Sequence, residues 1–170
     1  PPSLVVDEDV GEVTFDGSAS WDDVFIKNYT WTFEEDGTQK VLLGKSVKYT
    51  FKTPGFYFVT LEVTDTGDNS DTDTVLITVN DITDPVADAS RTNATVNEDT
   101  QLVLDGSASS DNVGIVEYTW YVEDVPPKTL SGETQTYKGW AQPGKYGVTL
   151  NVTDGAGNWD AKTILITVKD

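Results

Sequence analysis

The 170-residue chain carries 11 Lys plus Arg against 29 Asp plus Glu, a net charge of −18, and has neither Cys nor His. That balance argues against nucleic-acid phosphates and anionic membrane surfaces as partners. The missing residue types exclude disulfides, Ser-His-Asp or Cys-His nucleophiles and ordinary zinc sites within the chain.

A hydrophobic share of 37% with five Trp sets the chain apart from disordered acidic polypeptides. No apolar run approaches the roughly 20 residues of a membrane span. The opening Pro1-Pro2, without Met or leader pattern, reads as a piece of a longer polypeptide.

The first landmark is FDGSAS at 15–20, where Asp16-Gly17-Ser18 predicts a turn held by local hydrogen bonds. A strand follows through YTW at 29–31, with Tyr29 and Trp31 on one face and the indole in the core. Beyond Pro54-Gly55, the residues Tyr57, Val59, Leu61 and Val63 share a face by period 2, so Phe56 and Phe58 point the other way. VTD at 63–65 predicts a turn, and the apolar run with LITV at 76–79 a last strand, with Leu76 facing out. After VNDITDPVADAS at 79–90 the series returns as LDGSAS, YTW, Pro143-Gly144, VTD and LITV, each 89 positions later. Such self-similarity means two copies of one unit in tandem, 1–81 and 82–170. Short Thr-, Val-, Ile- and aromatic-rich runs between Gly, Asp, Asn and Pro turns predict an all-β fold, two β-sandwiches of about seven strands each.

These landmarks, in this order, resemble the PKD domain, an immunoglobulin-like sandwich named for the polycystic kidney disease protein. The resemblance covers nearly the whole chain, twice. It departs from the family's usual WDFGDG, which here reads WTFEEDG at 31–37 and WYVEDVPP at 120–127. It also replaces the family's Tyr ahead of Pro-Gly with Phe51 and Trp140. What the resemblance implies is a non-catalytic structural or adhesive module of a larger cell-surface or secreted protein, similar to modules of archaeal surface-layer proteins. The alternative it implies is a substrate-targeting accessory module of a secreted protease or polysaccharide hydrolase. Partners would be other domains of the same protein, neighbouring surface proteins or polysaccharide, with no nucleic acid and no membrane insertion.

Loops of such a sandwich cluster at two ends. That gathers Asp111 and Asp154 with the entering segment's Asp81 and Asp84, and makes Ca²⁺ the expected structural ion, since it takes about 6–8 oxygens in flexible geometry. The segment also resembles the acidic calcium-binding linkers of cadherins, and PKD domains of bacterial collagenases imply the same ion. Asp22 and Asp65 are the equivalents in copy one. Asn28, Asn93 and Asn151 head Asn-X-Thr acceptor tripeptides and are expected to carry glycan in a host able to add it. Phe56, Phe58 and Leu76 form the expected protein-binding patch of copy one, where copy two has Lys145 and Gly147. Trp21 and Trp159 stand in polar loops; Trp159 is expected to cover the neighbouring domain, and Trp21 to cover a neighbour or stack on a sugar. Catalysis is not expected, because no site with a substrate cleft is visible.

Overall fold

The structure, a computed structural model, describes residues 2–170. It divides into two compact units, Pro1–Ile82 and Thr83–Asp170. Unit 1 holds β1 (Ser3–Asp7), β2 (Val13–Asp16), β3 (Ile26–Glu35), β4 (Thr38–Leu43), β5 (Ser46–Tyr49), β6 (Gly55–Asp65) and β7 (Ser70–Asn80). Unit 2 repeats them as β8 (Ala94–Asn97), β9 (Leu102–Asp105), β10 (Ile115–Val122), β11 (Lys128–Ser131), β12 (Thr134–Tyr137), β13 (Gly144–Asp154) and β14 (Trp159–Lys169). Each unit packs a five-stranded sheet, ordered β1-β7-β6-β3-β4 or β8-β14-β13-β10-β11, against a two-stranded one, β2-β5 or β9-β12.

Alternation decides which residues fill the space between the sheets. In β6 Tyr57, Val59 and Leu61 are buried while Phe56, Phe58 and Glu62 face out. In β13 Val148, Leu150 and Val152 are buried. The indoles of Trp31 and Trp120 lie in these cores, and each donates its N–H to a glycine carbonyl, Gly44 and Gly132, at 3.1 Å. That bond offsets the cost of burying a polar group.

The recurring DGS triplet has a packing reason as well as a turn reason. Asp16 and Asp105 accept the N–H of Ser18 and Ser107 at 2.9 and 3.0 Å. A Cβ on Gly17 would stand 2.9 Å from the Tyr29 ring, and one on Gly106 3.1 Å from Leu150 and Tyr118. Gly and the tyrosine of YTW are thus two halves of one contact.

Ahead of the sixth strand, the Tyr57 hydroxyl donates to the Thr53 carbonyl at 2.5 Å, and Tyr146 to Gln142 at 2.9 Å. These are the tyrosine corners of an immunoglobulin-like sandwich. Phe51 and Trp140, which replace the family's Tyr, lie buried against those rings at centroid distances of 4.6 and 5.2 Å. The WTFEEDG turn closes the β3–β4 hairpin with Asp36 and Gly37 at φ 52° and 66°, the left-handed pair a two-residue hairpin uses. In unit 2 the same connection is the longer stretch between Val122 and Lys128.

Candidate cation site and exposed surfaces

In unit 2 the bend before β10 and the turn after β13 bring Asp111 and Asp154 together, each offering a carboxylate oxygen within 4.8 Å of the other's. Asp154 is buried, and its Oδ1 accepts the N–H groups of Ala156, Gly157 and Asn158 at 2.9, 2.7 and 2.9 Å. Its Oδ2 accepts the Asn158 side-chain amide at 2.7 Å. Burial opposes ionisation of Asp154, but these donors outweigh it and hold the carboxyl below its ordinary pKa. Asp111 is built differently. Its Oδ2 accepts Val113 N–H at 2.9 Å and Gly114 N–H at 2.6 Å, while Oδ1 is buried with no hydrogen-bond partner.

That orphan oxygen tests whether the residues fit a cation. A buried carboxylate oxygen without a donor, beside a second ionised carboxylate, is repelled and unsolvated unless a positive charge meets it. Hard oxygens from two turns suit Ca²⁺ better than Mg²⁺, which demands near-octahedral order. The donor set fits the expected ion. Asp84 departs from expectation: it is exposed and does not join Asp111 and Asp154 within that distance. Its neighbours explain why, since Pro85, Ala87 and Ala89 are the residues of this segment that turn inward. Asp81 follows β7 at the end of unit 1.

Unit 1 repeats the turn chemistry. Asp22 Oδ1 accepts Val24 and Phe25 N–H, both at 2.9 Å. Asp65 accepts Gly67 N–H at 2.7 Å, Asn69 N–H at 2.8 Å and the Asn69 amide at 2.8 Å. These bonds, led by the Asn69 amide, lower the Asp65 pKa. Asp22, Asp65 and Asp71 line one cavity of about 140 Å³. Sequence reasoning found the four aspartates by position but not Asn69 and Asn158, the side chains that orient two of them. The repeated Asp-X-X-X-Asn spacing at 65–69 and 154–158 was the available signal.

The remaining expected residues are placed as follows. Phe56 and Phe58 are 74% and 62% exposed. Phe58 stands directly opposite Leu76 across the β6–β7 ladder, and Leu76 is half-buried. Leu42 turns into the core, so it does not cover them. Asn28 is exposed on β3. Asn93 is exposed, with its Oδ1 accepting Leu165 N–H at 2.9 Å. Asn151 is half-buried, with its Oδ1 accepting the Thr153 hydroxyl at 3.3 Å. Trp159 opens β14 with 61% of its surface exposed, and Trp21 is 84% exposed.

Comparison with known proteins settles the family. The sequence profile of the PKD domain matches twice, over residues 5–79 and 82–168. The chain belongs to the PKD domain family. A mouse relative named dyslexia-associated protein KIAA0319 homolog is 28% identical over 99% of this chain and 17% of its own length. Chitinase A1 of Niallia circulans is 27% identical over 92% of this chain and 23% of its own length. The PKD pair thus spans less than a quarter of either relative. Among solved structures, the N-terminal four immunoglobulin domains of Dscam1 isoform 6.9 match 99% of this chain and 43% of that one, with a TM-score of 0.60 at 11% identity. That likeness shows the immunoglobulin-like fold.

Proposed function

We propose that this tandem PKD pair is a non-catalytic extracellular spacer or adhesion module, and that its second unit holds a structural Ca²⁺ through Asp111 and Asp154. The buried, unpartnered Oδ1 of Asp111 beside Asp154 carries the reading of the ion. The rest is supported by the seven-stranded sandwiches, the acidic cysteine-free composition and the membership of a family of appended modules. The sequence adds Asp81 and Asp84 of the connecting segment as further candidate ligands, and each is tested by its own Asn variant. The three Asn-X-Thr sites belong to the same extracellular reading, and Asn28 and Asn93 are the exposed ones.

Calorimetric titration of the metal-free chain with CaCl₂ tests the ion. The expected dissociation constant is about 10⁻⁴–10⁻³ M, the range of extracellular modules. Asp111→Asn removes the binding heat while circular dichroism keeps its β signature. If the unsubstituted chain shows no heat and chelator leaves its melting curve unmoved, the ion is not part of this protein.

A second reading has its own support. The exposed rings of Trp21, Phe56 and Phe58, with the likeness to a chitinase, fit a module that guides a secreted hydrolase to polysaccharide. Co-sedimentation with insoluble chitin, lost in Trp21→Ala, would favour this reading over the spacer.

A further inference from the structure

The repeat keeps the core of each unit but changes the outside of its large sheet. In unit 1 the outward positions of β1, β7, β6, β3 and β4 form one continuous face. Its apolar members are Val5, Val41, Leu43, Phe56, Phe58 and Leu76, and all but the half-buried Leu76 are more than half exposed. Phe56 and Phe58 stand on β6, the middle strand. Around them lie Thr30, Thr32, Thr60, Thr74 and Thr78, half-buried and uncharged, with the Thr60 and Thr74 hydroxyls joined at 3.2 Å. Glu34, Glu62 and, at the margin, Asp7 are the charges of this face in a chain with 29 acids, and no Lys or Arg stands on it among the described residues.

Unit 2 builds the same sheet without that surface. The 89-residue offset puts Lys145 and Gly147 where Phe56 and Phe58 stand. The Glu123 carboxylate accepts Gly147 N–H at 2.6 Å and lies 2.9 Å from the place a Cβ at 147 would take. The centre of that face is therefore ionic. Since both sheets have the same strand order, the fold does not require the two rings.

The unit 1 face is also shaped to meet itself. Phe56 and Phe58 form a ridge, and beside it lies an open depression of about 480 Å³ bounded by Thr32, Glu34, Gln39, Phe58 and Thr60. A twofold axis in the plane between two such faces sets the ridge of each copy over the depression of the other. Four rows of outward residues about 6.8 Å apart, on five strands about 4.8 Å apart, make a face of about 650 Å². Two such faces bury about 1,300 Å², near the lower end of the roughly 1,200–2,000 Å² of a specific interface. Aromatic rings at the centre of a patch are the residues that carry most of its binding.

We propose that this face is a self-association surface, on which a second copy of the chain packs the same face, sheet on sheet about 10 Å apart, with Phe56 and Phe58 as anchors. The contact goes beyond the spacer reading and does not depend on the cation. Glu34, Glu62 and the net charge of −18 recur in the second copy, so charge opposes the pairing. Salt therefore strengthens it, the reverse of an interface held by opposite charges.

Sedimentation equilibrium in chelator tests the contact from about 1 µM to about 1 mM chain, a span set by the micromolar or weaker binding that so small an area supports. The mass is expected to rise from monomer toward dimer, and to rise at lower concentration in about 0.5 M than in about 0.05 M NaCl. Phe56→Ser with Phe58→Ser is expected to weaken association by about tenfold or more while the melting temperature of the dilute chain stays nearly unchanged. Glu34→Gln with Glu62→Gln is expected to strengthen it, a gain that loss of fold cannot imitate. Tyr121→Ser, which removes a half-exposed ring from the large sheet of unit 2, is expected to change nothing. A chain that stays monomeric throughout overturns the proposal, and retention of that monomer on insoluble chitin through Phe58 would give the face to polysaccharide instead. Association that survives the double Ser change, or that salt weakens, overturns it as well.

Discussion

Leu61 and Leu150 are the same residue at the same place in two copies, so replacing each by Ala measures how closed each core is. Leu150 is 0% exposed and Leu61 8%. Their surroundings differ more than those figures do, since Leu61 borders two grooves of unit 1. A buried Leu→Ala change costs the lost transfer energy plus a term for the sealed cavity, about 2.7–5.0 kcal/mol in all, growing by about 24 cal/mol per Å³ of cavity. Leu150→Ala leaves a sealed cavity and is expected to cost about 4 kcal/mol. Leu61→Ala only widens a groove that water already enters, so the cavity term largely drops out and about 2 kcal/mol remains. Denaturant-dependent hydrogen exchange reads each unit separately, at Val59 for unit 1 and Val148 for unit 2, which avoids treating two units as one transition. Equal losses in the two variants, or a larger loss for Leu61→Ala, would refute the open core.

Two other perturbations follow from the same structure. Burial first and the Glu35 carboxylate second push Tyr49 up to about 12, and burial with Glu35 and Asp36 does the same to Tyr57. The neutral phenols are the favoured form in the fold, so their contribution is full below the unfolded value near 10 and is lost as pH rises through about 12; unit 1 should unfold across that window, and tyrosinate absorbance should rise with unfolding rather than before it. Phe58→Lys touches an exposed ring and should shift stability by no more than about 0.5 kcal/mol, while any self-association seen by ultracentrifugation should weaken; a melting temperature lowered by many degrees would show that the ring is a packing residue.

The fold was legible because the signals that specify it are local. Period-2 alternation in Tyr57–Val63 named three buried residues of β6, and the shared 89-residue offset named the repeat. The turn roles of Asp16 and Asp105 followed from the chemistry of Asp-Gly-Ser. The connecting segment was harder. Its charges, Asp81, Asp84 and Asp88, drew attention to the acids, yet the residues that decide its course are Pro85, Ala87 and Ala89, a buried alternation too small-sided to read as a strand. Asp88 serves a local turn, accepting Ser90 N–H at 2.8 Å. The site was half legible for a related reason. Loop clustering brings Asp111 to Asp154, but which oxygen is left without a donor depends on how each turn folds back on its own carboxylate.

Each unit also pairs its first strand with its last in parallel, β1 with β7 from Ser3↔Leu76 to Asp7↔Asn80, and β8 with β14 from Ala94↔Ile166 to Asn97↔Lys169. Tension applied through the polypeptide pulls the first strand toward its amino end and the last toward its carboxyl end. In a parallel pair those pulls are opposed along a common axis, so the bridging hydrogen bonds are loaded in shear and must give way together. Antiparallel partners would be drawn in the same direction and peel apart one bond at a time. A chain of such units resists stretching through its backbone pairing, whatever its side chains bind.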